Sequence, residues 1–202
     1  MTSGEGAPPV AVAARPAGLG SRRLALFWSA VLLLVAADLL SKDWAWSTAP
    51  PGQGKVPLLG DWLYLHCVYN PGGLFGLGQE LTLPLTLVRA LAAVFLAWLM
   101  TRQAPGARLA LPTLALLEAG ALGNLYDNLS RWAPWAGNGE VRDFLRVELA
   151  RPGFWPERLW PFDPWPIFNL ADACITVGFL LLITGAARVR LHRPQAPQGE
   201  GR

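Results

Sequence analysis

The segment FNLADACITVGFLLLITGAAR, residues 168–188, places an acidic side chain, Asp172, at the start of a long apolar run. A second acid, Asp143, lies upstream in the sequence EVRDF at 140–144. An ionisable side chain at or inside bilayer depth costs about 2.5 to 3.5 kcal/mol on insertion scales, so it requires a partner and indicates a functional site. We expect Asp143 and Asp172 to be each other's partner.

The composition indicates a small membrane protein. Of the 202 residues, 52% are hydrophobic, 15% are charged and ten are tryptophan, which is too apolar for an ordinary soluble domain. The net charge of +3 does not indicate a nucleic-acid partner, because the arginines cluster at the ends of apolar runs, where the positive-inside rule accounts for them. Cys67 and Cys174 form neither a disulfide framework nor a CxxC metal pattern, and we expect no metal and no cofactor.

Four apolar stretches are long enough, or nearly so, to cross a bilayer, because about 20 residues span roughly 30 Å of hydrocarbon. The pattern predicts an all-α membrane protein with four transmembrane helices at about 24–42, 82–101, 108–127 and 168–188. The first stretch, which follows Arg22 and Arg23, has the charged start and apolar centre of a cleaved signal peptide. We reject that alternative because no small-x-small cleavage pattern follows it and because further spans do.

Basic residues determine the predicted orientation. Four spans put both termini on one side, and the arginines on that side make it cytoplasmic; they are Arg22, Arg23, Arg102, Arg108, Arg188, Arg190 and Arg193. The first residues are rich in Gly, Ala, Pro and Ser without hydrophobic periodicity, which is typical of disorder. We therefore predict disordered cytoplasmic tails at 1–21 and 191–202, and a transmembrane domain at 22–190 with periplasmic insertions at 43–81 and 128–167.

The two periplasmic insertions differ in character. Leu58–Tyr69 is rich in strand-forming residues and precedes the turn residues Asn70–Gly73, which together predict a small β-sheet on the membrane surface. The second insertion is dominated by Trp, Pro and Arg, a composition suited to the lipid headgroup region. We expect it to form a loop or helix over the site; its tryptophans are Trp132, Trp135, Trp155, Trp160 and Trp165.

Polar residues on the predicted spans fall at one depth, near the outer leaflet. Asp38 and Lys42 share a face at the outer end of the first helix at i,i+4 spacing. At i,i+3 spacing, two further Asn and Asp pairs lie at the outer end of the third helix and the outer start of the fourth; these are Asn124 with Asp127 and Asn169 with Asp172. Small residues nearby allow close helix packing, namely Gly120, Ala121 and Gly123. The pattern predicts one polar site surrounded by helix ends.

Five short motifs carry these residues in order: ADLLSK at 37–42, YNPGGLFG at 69–76, AGALGNLYD at 119–127, VRDF at 141–144 and FNLAD at 168–172. Together, on four predicted spans, they make the chain resemble lipoprotein signal peptidase, the type II signal peptidase of bacterial inner membranes. The resemblance implies that Asp143 and Asp172 are a catalytic pair near the periplasmic face. It also implies that the substrate is a prolipoprotein, cut just before a diacylglyceryl-modified cysteine.

The chain departs from the family pattern in two places. The family usually has arginine after the Gly-Asn-x-x-Asp run, where this chain has Asn128. The spacing from Asn124 to Asp143 is also extended, by residues 129–139. Arg131, inside the extension, is the candidate to supply the missing guanidinium.

Two neighbouring carboxylates cannot both ionise cheaply, so the pair is expected to share a proton and provide one acid and one base. The base takes a proton from the attacking water, and the acid protonates the peptide oxygen and later the leaving nitrogen. No metal or covalent intermediate is required. We assign substrate binding to Asn70, Gly120, Asn124, Asn169, Asp38 and Lys42, with a structural ion pair as the alternative role of the last two.

Three alternatives remain to be tested. Membrane carboxylates also serve proton-coupled carriers, although no internal repeat is evident, and a non-catalytic factor could bind acylated proteins without cutting them. His66 beside Cys67 suggests a thiol protease, but no orienting third residue accompanies them. Glu118 and Arg89 are placed to pair with each other within the membrane. We expect membrane lipids and the prolipoprotein as partners, and a monomer.

Overall fold

Four helices and three strands make up the described part of the chain in the computed structural model, which comprises residues 20–72, 82–104, 109–135, 137–149, 165–189 and 191. In chain order they are α1 (Ser21–Thr48), β1 (Val56–Leu59), β2 (Leu63–Asn70), α2 (Thr82–Thr101), α3 (Ala110–Leu129), β3 (Val141–Val147) and α4 (Leu170–Ile183). Each helix overlaps one of the four predicted apolar stretches. The predicted tails lie outside the described residues, apart from Gly20, Ser21 and Leu191.

Helix α3 is the centre of the bundle, because it packs against each of the other three helices. At one end of the bundle the contacts are apolar and fully buried. Side chains from α1, α2 and α3 form this core, namely Phe27, Val31, Met100, Leu114, Ala115 and Ala119. The polar ends of the helices are left to meet at the opposite end.

Glycines let α3 approach its neighbours at that polar end. A Cβ at Gly120 would lie 2.5 Å from the Ala171 carbonyl oxygen of α4, and one at Gly123 would lie 2.6 Å from Asp38 Oδ2 of α1. Either contact is closer than real Cβ atoms come to such atoms. The predicted close approach of helices around these small residues is confirmed.

Helices α1 and α2 carry large apolar side chains on exposed faces, and both are long and apolar enough to cross a membrane. Leu33 of α1 is 72% exposed and Val94 of α2 is 70% exposed. Helix α4 is also apolar but has only 14 residues, about 21 Å at 1.5 Å per residue. It is thus shorter than both the predicted 21-residue segment and the hydrocarbon core of about 30 Å.

A three-stranded antiparallel sheet in the order β1-β2-β3 caps the polar end. The strand-forming segment at 58–69 contributes to two strands, separated by a turn that includes Gly60 with φ 54°. The third strand comes from the second insertion, and its Asp143 lies opposite Val68 of β2. The predicted small sheet is therefore present, but it includes a strand that the sequence pattern did not indicate.

The sheet packs on the last turns of α1. Its buried side chains Leu65, Cys67 and Phe144 form a second apolar core with Ala45 and Ala49. This contact fixes the sheet over the end of the bundle, so that β2 and β3 present residues to the polar helix ends. The helix or loop expected over the site falls mainly on residues 150–164, which lie outside the described residues.

Candidate functional site

The two predicted catalytic acids reach one cavity from different elements. Asp143 is the third residue of β3 and is buried, with 1% of its surface exposed. Asp172 lies in the first turn of α4 and is half-buried. Both line a cavity of about 540 Å³. A residue pair 29 positions apart in sequence is thus brought to a common space by the sheet on one side and α4 on the other.

Asn70 holds Asp143 from the end of β2. Its side-chain oxygen accepts a hydrogen bond from the Gly72 backbone N–H at 2.9 Å, which closes a turn on the chain leaving the sheet. This contact fixes which way the amide faces, and Nδ2 donates to Asp143 Oδ2 at 2.8 Å. Gly72 has φ 110°, a conformation that favours glycine. The turn chemistry of the motif therefore serves to orient a hydrogen-bond donor towards the acid.

Asn169 joins the two acids. Its side-chain oxygen accepts from the Asp172 N–H at 2.9 Å, and Asp172 Oδ2 accepts from the Asn169 N–H at 3.2 Å, which forms a capping box at the start of α4. The Asn169 amide nitrogen, Nδ2, donates to Asp143 Oδ1 at 2.7 Å. One residue therefore starts the helix, holds the helix acid through its backbone and holds the strand acid through its side chain.

Asn124 of α3 completes the set of donors. Its Nδ2 donates to Asp172 Oδ1 at 2.8 Å, while its Oδ1 accepts from Asn169 Nδ2 at 3.0 Å. Each oxygen of Asp143 and of Asp172 therefore accepts at least one N–H bond from an asparagine. These neutral donors orient both carboxyl groups without placing another charge beside them.

Burial raises the pKa of Asp143 to about 7, and the negative charge of nearby Asp172 adds to the increase. The amides of Asn70 and Asn169 and the Lys42 ammonium act in the opposite direction without cancelling it. Near neutral pH, Asp143 therefore exists in both protonation states. A carboxyl group with a pKa in this range is suited to donate and accept protons in catalysis.

The cavity wall is mostly apolar around these acids. Its apolar side chains come from the segment before α4 and from the first turns of α4, namely Trp165, Ile167, Phe168, Ile175 and Val177. Polar groups on the wall include Asn70 and Arg89 in addition to the two acids. An apolar cavity with a few convergent polar groups is the usual form of a site for a small or extended ligand.

A buried ion cluster lies behind the acids. The Lys42 ammonium is fully buried and contacts Asp38 Oδ2 at 2.7 Å and Asp127 Oδ2 at 2.9 Å. Asp38 Oδ1 also accepts from the Ala171 N–H of α4 at 2.8 Å. The Asp38–Lys42 ion pair expected as an alternative is therefore present, and the cluster connects α1, α3 and α4. A buried charge of this kind is tolerated only when it is paired.

Asp127 extends the cluster to the sheet. Its Oδ1 accepts from Arg142 Nε at 2.9 Å, and Arg142 Nη1 donates to Asp43 Oδ1 at 2.6 Å. Because Arg142 immediately precedes Asp143 on β3, these bonds fix the position of the strand relative to α1 and α3. They contribute to placing the Asp143 carboxyl group at the cavity.

The guanidinium beside Asn128 comes from α2 and not from the extended loop. Arg89 Nη1 donates to Asn128 Oδ1, and Asn128 Nδ2 donates to the Gly139 carbonyl at 2.9 Å. The expectation for Arg131 is wrong, because that residue is exposed and its side chain lies against Gly139. The expected pairing of Glu118 with Arg89 is also wrong, since Glu118 Oε2 is buried without a hydrogen-bond partner among the described residues.

The extension at 129–139 is folded over most of its length. Ser130 Oγ donates to the Asp127 carbonyl at 2.6 Å and accepts from the Gly139 N–H at 3.1 Å. The Trp135 indole stacks on Tyr126 with ring centroids 4.7 Å apart. These contacts return the chain to the end of α3 and bring the Gly139 carbonyl to Asn128.

The predicted substrate-binding residues fall into two groups. Asn70 lines the cavity together with the acids. The other five are buried behind its wall, and they are Asp38, Lys42, Gly120, Asn124 and Asn169. Gly120 faces the backbone of α4, so the structure gives it a packing role. Arg89 also lines the cavity, which the sequence pattern did not predict, although a cation two turns into an apolar helix is a signal for function.

Cys67 is buried in β2, and burial raises the pKa of its thiol to about 11. A thiol with such a pKa is protonated at neutral pH and is a poor nucleophile. His66 Nδ1 lies 3.2 Å from Arg146 Nη1, so His66 does not form a catalytic pair with the thiol. The structure thus disfavours the thiol-protease alternative.

Comparison with known proteins identifies relatives along most of the chain. Residues 30–188 match the family model described as signal peptidase (SPase) II. Curated relatives named lipoprotein signal peptidase include one from Mycobacterium avium (strain 104), 34% identical over 80% of this chain and 79% of its own. Another, from Rhodococcus jostii (strain RHA1), is 37% identical over 80% of this chain and 72% of its own.

Solved structures share the fold. One bacterial membrane enzyme, determined by the in meso method at 2.3 Å resolution, has a TM-score of 0.63 over 81% of this chain and 88% of its own, with 21% identity. A second, at 1.9 Å resolution, has a TM-score of 0.61 over 81% of this chain and 93% of its own, with 22% identity. At this level of identity the similarity concerns the arrangement of helices and strands.

Proposed function

The chain belongs to the signal peptidase II family, and from this premise we propose that it removes the signal peptide from diacylglyceryl-modified prolipoproteins by means of Asp143 and Asp172. The observation that carries the proposal is the pair of acids on one cavity wall, joined through Asn169. The cut falls just before the lipidated cysteine. The family assignment favours this peptidase function over a proton-coupled carrier.

In the proposed reaction Asp172 is the base and Asp143 the acid. Asp172 lies in the first turn of α4, where the helix dipole favours a negative charge. Burial raises the pKa of Asp143 to about 7 and so favours the protonated carboxyl. Water adds its oxygen to the peptide carbon while its proton passes to Asp172, and Asp143 protonates the carbonyl oxygen. The C–N bond then breaks as Asp172 returns the proton to the leaving nitrogen, while one hydroxyl of the tetrahedral intermediate gives its proton back to Asp143 and the carbonyl of the product acid re-forms.

We further propose that all four helices cross the bacterial inner membrane, with both termini in the cytoplasm and the cavity at the periplasmic face. The exposed apolar faces of α1 and α2 and the apolar α4 support this placement. An acylated cysteine then leaves its chains in lipid while its peptide bond reaches the acids along the apolar wall. We also propose that the protein acts as a monomer.

The test is cleavage of a purified diacylglyceryl prolipoprotein by single-residue variants in detergent. We expect Asp143→Asn and Asp172→Asn each to lower kcat by at least about 10³-fold, as loss of a member of a catalytic unit does. Asp61→Asn, an exposed aspartate in the β1–β2 turn, serves as the matched control. Mass spectrometry of the products locates the cut.

Each possible result has a defined meaning. Persisting cleavage in either acid variant would exclude the pair as the catalyst. A loss of cleavage supports the pair when the variant inserts like the native chain and has the same melting temperature. Binding of the prolipoprotein without cleavage by the native chain would instead support the non-catalytic alternative. Cleavage at another peptide bond would exclude the proposed cut position.

A further inference from the structure

Arg89 is a cation beside the two acids that pairs with neither of them. It is the only positively charged side chain among the described residues that line the cavity. The negative charges of Asp172, Asp143 and Asp127 all attract its guanidinium. It nevertheless forms no ion pair with any acid in the described part of the chain. An arginine in this position needs something other than the carboxylates to hold it.

Asn128 supplies that hold. It is fully buried at the end of α3, and its side-chain oxygen accepts from Arg89 Nη1. Its amide nitrogen donates to the Gly139 carbonyl, which fixes the direction in which the oxygen faces. Gly139 is in turn held by Ser130 Oγ. The folded extension after α3 therefore sets the direction of the arginine on α2.

The remaining guanidinium donors belong to a residue of the cavity wall. A guanidinium has five N–H donors, and the one hydrogen bond of Arg89 uses Nη1. Its other nitrogens are not among the buried side-chain atoms that lack a hydrogen-bond partner. Because Arg89 lines the cavity, these nitrogens lie next to the space into which a substrate would enter. The group is partly dehydrated and charged, which makes it a strong donor to an oxygen acceptor.

We propose that Arg89 binds the carbonyl oxygen of the peptide bond that is cut, and that Asn128 is a positioning residue that keeps Arg89 away from the carboxylates. The inference rests on the proposed peptidase function and adds a residue to it. As water attacks, negative charge develops on that oxygen, and a preorganised cation stabilises it. The oxygen has two lone pairs, so it accepts from Arg89 and from protonated Asp143 together.

The position of Asn128 matters because a free Arg89 would pair with an acid. An adjacent guanidinium favours the ionised form of a carboxyl group. Pairing would then remove the proton that the mechanism requires and would withdraw the donor from the substrate. Asn128 is neutral, so it holds the guanidinium without neutralising its charge.

The first experiment measures kcat and KM of purified, full-length variants on one diacylglyceryl prolipoprotein. We expect Arg89→Gln to lower kcat by about 10² to 10³-fold with little change in KM, because the donor acts on charge that develops during the reaction. Arg89→Lys retains the charge but not the fork of donors, and we expect a loss of roughly 10-fold. Arg102→Gln, at the other end of the same helix and over the Trp98 ring, is the matched control and should retain native kcat.

The second experiment is a double-mutant cycle between Arg89 and Asn128. If Asn128 acts through Arg89, Asn128→Ala lowers kcat in the native background but has no further effect in the Arg89→Gln background. A purely structural role of Asn128 would instead give the same loss in both backgrounds. Thermal unfolding of each variant in the same detergent shows whether the compared proteins are equally folded.

The outcomes separate this inference from the function on which it rests. Native kcat in Arg89→Gln, with Asp143→Asn inactive, overturns the role of Arg89 and leaves the peptidase intact. A loss expressed only in KM also overturns it, because that result indicates ground-state binding. Additive losses in the cycle overturn the role of Asn128.

If the native chain does not cleave, the proposed function itself fails. If Arg89→Gln does not insert, the Arg89→Lys kcat decides: native kcat there rejects the donor role.

Discussion

At the scale of single residues, the proposed chemistry depends on the proton that Asp143 carries. The pKa of this carboxyl group is raised to about 7 by burial and by the charge of Asp172. The proton is fully present well below pH 7 and is lost as the pH rises through that value. We therefore expect kcat to fall above about pH 7, by roughly tenfold per pH unit on the alkaline limb.

The measurement is kcat on a diacylglyceryl prolipoprotein between pH 5 and 9 in one detergent, with unfolding recorded at each pH. The free energy of unfolding also falls as the pH rises, because a carboxyl group whose pKa is raised in the folded state favours folding less as it ionises. A rate that increases steadily from pH 7 to 9 would contradict the assignment of Asp143 as the acid.

The sequence could predict these acids and the asparagines of the site, but not the arginine that lies beside them. Asp143 and Asp172 were recognisable because short motifs carried them in order at helix depth. The contact between Arg89 and Asn128 joins residues 39 positions apart on different helices, and no local pattern encodes it. Arg131 was closer in sequence to Asn128, but its side chain is directed to solvent. Which arginine fills a place is decided by helix packing, which a single sequence does not show.

At the scale of elements, the contact between α3 and α4 depends on Gly120. A methyl group there would meet the Ala171 carbonyl and Ile175 Cγ1, each at 2.5 Å, so the helices must separate. We expect Gly120→Ala to lower the free energy of unfolding by about 1 to 3 kcal/mol, as overpacking does. The shift of α4 also moves Asp172, so kcat should fall together with stability.

Thermal unfolding in detergent and kcat measure the two effects. Gly20→Ala is the control, because a Cβ at Gly20 meets nothing within 4 Å. An unchanged melting temperature in Gly120→Ala would mean that α3 and α4 are not held at this distance.

The elements also show where periodicity reaches its limit. Apolar runs predicted all four helices, but β3 carries Arg142, Asp143 and Arg146 in seven residues and does not alternate cleanly. It is a strand because its backbone pairs with β2, which lies far away in sequence. Helix α4 ends before the predicted boundary because Gly185, with φ 70°, turns the chain out of the helix.

For the whole molecule, the proposed orientation places the sheet outside the cytoplasm and Ser21 inside it. The substitution Gln53→Cys places a cysteine in the exposed loop after α1. We expect this cysteine to react with a membrane-impermeant maleimide in cells whose outer barrier is permeabilised. A cysteine at Ser21→Cys should react only after the inner membrane is opened. The native cysteines are buried, so the unmodified chain supplies the background.

Labelling of Ser21→Cys in intact inner membranes would indicate the opposite orientation. The cavity would then lie on the wrong side for exported substrates. Such a reversal would leave the geometry of the site unchanged. It would remove the proposed access of prolipoproteins to the acids.

The double use of Asn169 has a consequence for biogenesis. The same amide begins α4 and orients the strand acid, so in the proposed mechanism the pair of acids is complete only after α4 has docked. Translation reaches α4 after the other three described helices. If the two acids are the catalyst, a partly inserted copy is therefore expected not to cut the proteins that cross the membrane beside it.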